Sequence, residues 1–265
     1  MRDSVGAVKL TFLGTGTSFG IPVVGCSCRV CTSGNARNRR GRHSLMVEQD
    51  GRRLLVDTPP ELRLQLLAAG VDKLDAVYVT HPHADHVHGM DDLRIFSLRS
   101  GSPLPVHVPE EYEGELRSRF SYIWDPKAHG QPGSAVPDLD LHTFVDRERI
   151  EIAGFSVLPI ACPHGYYRSY GFRVGDAACV VDAKKIPDDA VSSLRGLEVL
   201  ILGALWYGNP HPTHLNVEEA IEVAEALGAE RTFLTHLTHR LEHTELERRL
   251  PSGVFPAWDG LVVEC

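Results

Sequence analysis

Basic residues are the minority charge in this chain: 27 Lys and Arg stand against 35 Asp and Glu, a formal charge of −8 at neutral pH. A wide nucleic-acid footprint built on phosphate neutralisation is therefore not expected, although local basic patches are compatible with this balance. Long apolar runs are also missing. None approaches the roughly 20 residues of a membrane-crossing helix, and Met1-Arg2-Asp3-Ser4 leads into the strand-like Val8-Lys9-Leu10-Thr11-Phe12-Leu13 with no signal-peptide core. A cytoplasmic protein without membrane association is the expectation. There is no internal repeat, low-complexity tract or clear linker among the 265 residues, so one domain spanning 1–265 is expected. Leu13-Gly14-Thr15-Gly16-Thr17 lacks the Lys-Ser/Thr ending of a nucleotide-binding P-loop. Gly14 and Gly16 are read instead as tight-turn residues near a site. What remains, 43% apolar and 23% charged residues, is ordinary globular composition.

Against that background Thr80-His81-Pro82-His83-Ala84-Asp85-His86 is unusual, placing four potential metal ligands in six positions. Ala76-Val77-Tyr78-Val79-Thr80 reads as a buried strand, and Pro82 keeps His81 out of the α region, so the ligands begin where the strand ends. Neutral imidazole and ionised carboxylate suit zinc, manganese or iron. His81 and His83 would face one ion, Asp85 and His86 another. The bland alternative is a polar loop whose histidines cap the next turn, and the density of ligands argues against it.

Six cysteines divide unevenly: Cys26, Cys28 and Cys31 cluster, whereas Cys162, Cys179 and Cys265 are scattered. That spread does not make a disulfide framework. Cys-x-Cys-x-x-Cys offers three thiolates from one loop near 26–31, and His239 is the candidate fourth ligand of a tetrahedral structural zinc. Reactive thiols or three small buried side chains are the alternatives.

Strand-like runs at 44–48, 53–56, 106–108, 155–160, 178–181, 199–202 and 232–234 outnumber helical ones. Thr58 before Pro59, Pro60 and Glu61 has the form of a capping box, with Leu62, Leu66 and Ala69 as a stripe and Gly70 as a stop. Asn216, Glu219 and Gly228 frame a second helix, and 238–250 reads as a third, ended by Pro251. Between 110 and 141, Phe120, Tyr122, Trp124, Pro126, Pro132 and Pro137 mark a segment that suits a lid, a substrate wall, a partner surface or a plain excursion.

These residues resemble the metallo-β-lactamase-fold hydrolases over nearly the whole chain, which implies a four-layer αββα sandwich of α/β class. The resemblance implies three further ligands, each at the end of a strand: His164 in Cys162-Pro163-His164-Gly165, a bridging Asp182 in Val180-Val181-Asp182-Ala183, and His236 in Leu234-Thr235-His236-Leu237. Asp57 resembles the family's buried acidic residue that orients loop or ligand groups. Leu13-Gly14-Thr15-Gly16-Thr17, Pro22 and the cysteine loop narrow the likeness to the phosphodiesterase branch, and in particular to the phosphoribosyl cyclic phosphodiesterases of phosphonate breakdown. There the cysteine loop and a His three residues after the late ligand, here His239 after His236, hold structural zinc. A catalytic His before a helix falls on His214, with His211 as its neighbour and competitor.

The likeness implies two divalent catalytic metals, zinc or manganese, plus one structural zinc. His81, His83 and His164 would hold one ion and Asp85, His86 and His236 the other, with Asp182 and a hydroxide bridging. Hydroxide would attack phosphorus in a small, even cyclic ribose, phosphodiester; His214 would protonate the leaving group, and Asp85 and His214 count as the catalytic residues. The Arg37, Arg39, Arg40 and Arg42 run suits either a solvated face or phosphate recognition. Trp206, Tyr207, Tyr166, Tyr167 and Arg168 suit either substrate walls or packing. Rival readings are a transfer-RNA 3′-processing nuclease, a β-lactamase or thioester hydrolase, and a non-hydrolytic binding protein like those of pyrroloquinoline quinone biosynthesis. A homodimer is the ordinary expectation for such an enzyme.

Overall fold

The structure, a computed structural model, describes residues 6–127, 133 and 135–265; Met1 to Ser4 and Pro132 of the sequence analysis fall outside these. One sheet contains β1 (Lys9–Gly14), β2 (Ser44–Gln49), β3 (Arg52–Val56), β4 (Ala76–Tyr78), β5 (Leu104–Pro109) and β6 (Leu139–Phe144). The other contains β7 (Ile150–Ile152), β8 (Phe155–His164), β9 (Tyr167–Val174), β10 (Ala177–Val180), β11 (Val199–Gly203), β12 (Arg231–Thr235) and β13 (Val254–Pro256). The last strand, β14 (Val262–Glu264), returns to the first sheet beside β1, giving the orders β14-β1-β2-β3-β4-β5-β6 and β13-β12-β11-β10-β9-β8-β7. In each sheet three antiparallel pairings adjoin three parallel ones.

Both faces of both sheets are buried, and the two-residue period of a strand decides which side chain goes where. Leu45 and Val47 of β2 join the core between the sheets, together with Phe12, Tyr78, Val157, Phe172 and Ile201. Met46, between them, points the other way with Leu55, Val77 and Val106. That outer face is covered by α1 (Leu62–Ala68), α3 (Arg94–Ser100) and α4 (Glu113–Arg119) through Leu62, Leu66, Phe96 and Leu116. On the second sheet, Ile160, Val180, Leu200 and Leu202 meet Val217, Ala220 and Ala224 of α5 (Val217–Leu227) and Leu246 of α6 (His243–Arg249). The result is the αββα sandwich. The short α2 (Ala84–Val87) lies outside these layers, in the loop after β4.

Local signals were obeyed unevenly. The Asn216 side chain accepts from the Glu219 amide at 2.8 Å while the Glu219 carboxylate accepts from the Asn216 amide at 2.9 Å, and Gly228 ends α5 at φ 68°. Thr58 caps nothing: Glu61 is the residue before α1, and the Thr58 hydroxyl instead donates to the Val87 carbonyl at 3.3 Å. The last helix begins at His243, where the Glu242 carboxylate caps it by accepting from the Glu245 amide at 3.0 Å, and the Thr238 and Leu241 carbonyls ahead of it accept from the buried guanidinium of Arg40 at 3.0 and 2.9 Å. The 110–141 segment supplies α4 and β6, and the Arg119 guanidinium of α4 donates to the Pro82 carbonyl of the histidine loop.

Candidate active site

Parallel strands end at one edge of the sandwich, and the loops leaving β3, β4, β10 and β12 carry Asp57, His81 to His86, Asp182 and His236 to that edge. Asp57, Asp182 and His236 all have left-handed backbones, with φ of 61°, 57° and 57°. That conformation costs a non-glycine residue on the order of 1 kcal/mol, so three occurrences at one edge mark a geometry held by its surroundings. Asp57 fixes the histidine loop. Its carboxylate accepts from the Thr80 amide at 2.8 Å and the Thr80 hydroxyl at 2.9 Å, and lies 2.6 Å from His86 Nδ1. With Nδ1 engaged there, His86 presents Nε2 to the site.

The other ligands close around Asp182. Its Oδ2 lies 3.2 Å from His86 Nε2, 3.6 Å from His81 Nε2 and 3.8 Å from His164 Nε2, while Oδ1 is 3.0 Å from His236 Nε2. His83 Nδ1 is 3.0 Å from His81 Nε2 and 3.2 Å from His164 Nε2, more contacts than one ring proton can serve. His81, His83, His164 and Asp182 place one ligand atom each within 4.8 Å of one another, and so do Asp85, His86, Asp182 and His236. Despite the 3.2 Å approach of His86 Nε2 to Asp182 and the 3.0 Å approach of His236 Nε2, these two nitrogens, Asp182 Oδ1 and His236 Nδ1 are buried and form no aligned hydrogen bond. Buried polar atoms left unpaired cost free energy, and divalent cations would satisfy these. The donor set therefore fits two such ions.

Electrostatics agree. Burial pushes His81 well below its ordinary range and His236 down to about 3, keeping both as neutral ligands. Burial opposes ionisation of Asp182, yet His236 and His86 hold its carboxyl well below the usual range. Burial likewise disfavours charge on His86, but Asp85, Asp57 and Asp182 raise its proton affinity well above normal, so a metal there competes with a proton.

The cysteines form a separate cluster. Cys26, Cys28 and Cys31 Sγ lie 3.3, 3.6 and 3.6 Å from His239 Nδ1. A hydrogen bond from the Cys31 amide leads the effects that lower the Cys28 thiol to about 6, which favours the thiolate a metal requires. Cys162 and Cys179 are buried small side chains.

A cleft of about 560 Å³ opens over the histidine clusters. His214 lines it with Nε2 3.6 Å from Asp182 Oδ2, and its Nδ1 contacts Thr213 Oγ1 at 2.8 Å. His211 stands farther out, between His214 and Trp206. The arginine run does not reach the cleft: Arg37 covers Trp258, Arg40 is buried, and Arg42 pairs with Glu61. Arg168 pairs with Glu111 and Tyr207 lies beneath Arg249, leaving Tyr166, Tyr167 and Trp206 on the wall. Gly14 and Gly16 are not left-handed turn residues; a Cβ on Gly14 would meet the Arg42 carbonyl at 2.0 Å, so close packing requires glycine there. Sequence reasoning missed Phe19 in the cleft wall, and also His43, buried beside His86 with both ring nitrogens unpaired. Nothing local to either residue announces its place.

A β-lactamase superfamily domain profile matches residues 52–237. The crystal structure of a diphosphatase from the PhnP family superposes with a TM-score of 0.89 at 39% identity, covering 98% of each chain. An octanoyltransferase from Porphyromonas gingivalis is 35% identical over 96% of this chain, which spans only about half, 51%, of that protein. A ribonuclease Z from Pyrobaculum aerophilum is 26% identical, across 78% of this chain and 83% of its own length.

Proposed function

The chain belongs to the β-lactamase superfamily as a metal-dependent hydrolase of the PhnP and ribonuclease Z type, and from that premise we propose a dinuclear phosphodiesterase acting on a small phosphodiester. The observation that carries this reading is one carboxylate, Asp182, shared by two ligand clusters with His214 3.6 Å away. His81, His83, His164 and Asp182 would hold one divalent ion, and Asp85, His86, Asp182 and His236 the second. When bound, such ions supply a water acidic enough to attack near neutral pH and offset charge on phosphoryl oxygen.

His214 supplies what cations supply poorly, a proton for an alkoxide leaving group. Its Nδ1 is engaged by Thr213 Oγ1, which leaves Nε2 directed at the Asp182 side of the cleft as the donating atom. The Asn216–Glu219 box just beyond fixes the backbone that carries it. Cys26, Cys28, Cys31 and His239 would hold a structural zinc joining the amino-terminal loop to the turn before α6, within one domain. No Lys or Arg lines the cleft among the described residues, which favours a small substrate over a polynucleotide. Among the described residues, no helix is long and apolar enough to cross a membrane.

The test is elemental analysis of purified protein followed by a panel of cyclic and linear phosphodiesters. Three metals per chain and manganese- or zinc-dependent turnover of a small diester are expected. One tightly held zinc with no diester turnover would favour a binding protein, and efficient cleavage of precursor transfer RNA at low enzyme concentration would favour a nuclease.

A further inference from the structure

The mouth of the cleft carries two aromatic side chains that the rest of the protein leaves uncovered: Phe19, 72% exposed, and Tyr166, 97% exposed. Phe19 comes from the loop between β1 and β2, and Tyr166 from the turn between β8 and β9. Each stands on a fixed turn. The Gly20 amide donates to the Thr17 carbonyl at 2.8 Å, Gly20 follows at φ 62°, and the Arg42 guanidinium donates to the Ser18 carbonyl at 2.8 Å. Before Tyr166, Gly165 has φ 61°, and a Cβ there would meet the Thr213 methyl at 2.8 Å. The Tyr166 turn is thereby seated against the residue next to His214.

Neighbouring aromatics have partners within the protein. Tyr167 packs on His83 at 4.8 Å and on Tyr112 at 5.7 Å and meets Tyr166 edge-on at 5.6 Å, a contact that leaves the Tyr166 ring 97% exposed, and Tyr170 donates to Glu111. Trp206 continues the wall with the Arg240 guanidinium stacked 4.5 Å from its ring centroid, and both share with Phe19 a smaller adjoining hollow of about 240 Å³. Large aromatic rings carried on fixed turns at a cleft rim and left uncovered mark a surface for ligand contact. The cleft lining itself holds no Lys or Arg among the described residues, and Arg240 at its margin is engaged on Trp206, so recognition of the organic part of a substrate falls to the uncovered rings.

We propose that Phe19 and Tyr166 form a stacking clamp for a nucleobase, so that the substrate is a nucleoside-bearing phosphodiester rather than a base-free sugar phosphate. This rests on the phosphodiesterase reading above. Stacking tolerates any base, because every base offers a π face.

The experiment compares adenosine 2′,3′-cyclic phosphate with methyl ribofuranoside 2,3-cyclic phosphate on the metal-loaded enzyme. For the wild type, a KM about tenfold lower for the adenosine ester is expected, equivalent to about 1.4 kcal/mol. In the Phe19→Ala, Tyr166→Ala double variant the ratio of the two KM values should collapse toward one, whereas Phe19→Trp should preserve it. Equal KM values in the wild type, or an unchanged ratio in the double variant, would overturn the clamp. Calorimetric titration with adenosine 5′-monophosphate and ribose 5-phosphate reads the same preference without turnover. A base preference there that is lost in the double variant supports the clamp even if neither ester is hydrolysed, an outcome that defeats the phosphodiesterase reading alone. Absence of that preference overturns the clamp.

Discussion

Both carboxylate oxygens of Asp57 are committed to the histidine loop, one to the Thr80 amide and the other to the Thr80 hydroxyl and His86 Nδ1. A residue outside the ligand set thus decides which nitrogen of a ligand faces the site, and the sequence showed it as an acidic residue ending a strand. His214 poses the complementary case, a histidine that reaches the site without belonging to either ligand cluster. His214→Ala is expected to keep its full metal content while losing about 10²–10⁴ of its rate on diesters with alkoxide leaving groups. Nitrophenolate esters, whose leaving group needs no proton, should be affected far less. Equal losses on both classes would remove the proton-donor role. The sequence left His211 as a rival for this role; only the packing puts His214 against Asp182 and His211 against Trp206.

Among elements, α5 was legible because its cap is closed within four residues: Asn216 and Glu219 satisfy each other wherever the helix lies. Thr58 offered a similar pattern and failed, because its hydroxyl found the Val87 carbonyl, a partner 29 residues away that no local rule foresees. The start of α6 lies later than its sequence pattern, at the Glu242 cap, with the Thr238 and Leu241 carbonyls before it bound by Arg40 from a distant segment. The turn before α6 brings His239 to the cysteine loop, where it meets the three thiols. Cys28→Ser should release one zinc per chain and lower the melting temperature by on the order of 5–10 °C, while the catalytic ions stay bound. Full zinc retention at an unchanged melting temperature would refute a closed structural site.

Across the whole molecule, histidines that serve no cluster are also drawn out of water: His43 before β2 and His243 at the start of α6 are buried, and His107 of β5 is half-buried. Burial pushes His43, His107 and His243 each down to about 4, from an ordinary 6.5. The unfolded chain takes up these protons at a higher pH than the folded protein does, so stability is lost as pH falls from about 6.5 to about 4. His43→Met is expected to flatten that slope by up to ~1.4 kcal/mol per pH unit, read from urea midpoints of the metal-loaded protein across this window. An unchanged slope would place the acid sensitivity elsewhere. The sequence by itself determined those strands that are continuous apolar runs and the cluster of candidate ligands from His81 to His86, whose residue types and order stand together in one short loop. By contrast, β6, β7, β9, β13 and β14 carry no such run, and His164, Asp182 and His236 stood out only through the family resemblance. Which arginines are structural and which aromatics are left uncovered was decided only by tertiary structure. Arg40 and Phe19 differ in partners brought from distant segments, Thr238 and Leu241 for one and the open cleft for the other, and no local pattern encodes such pairings.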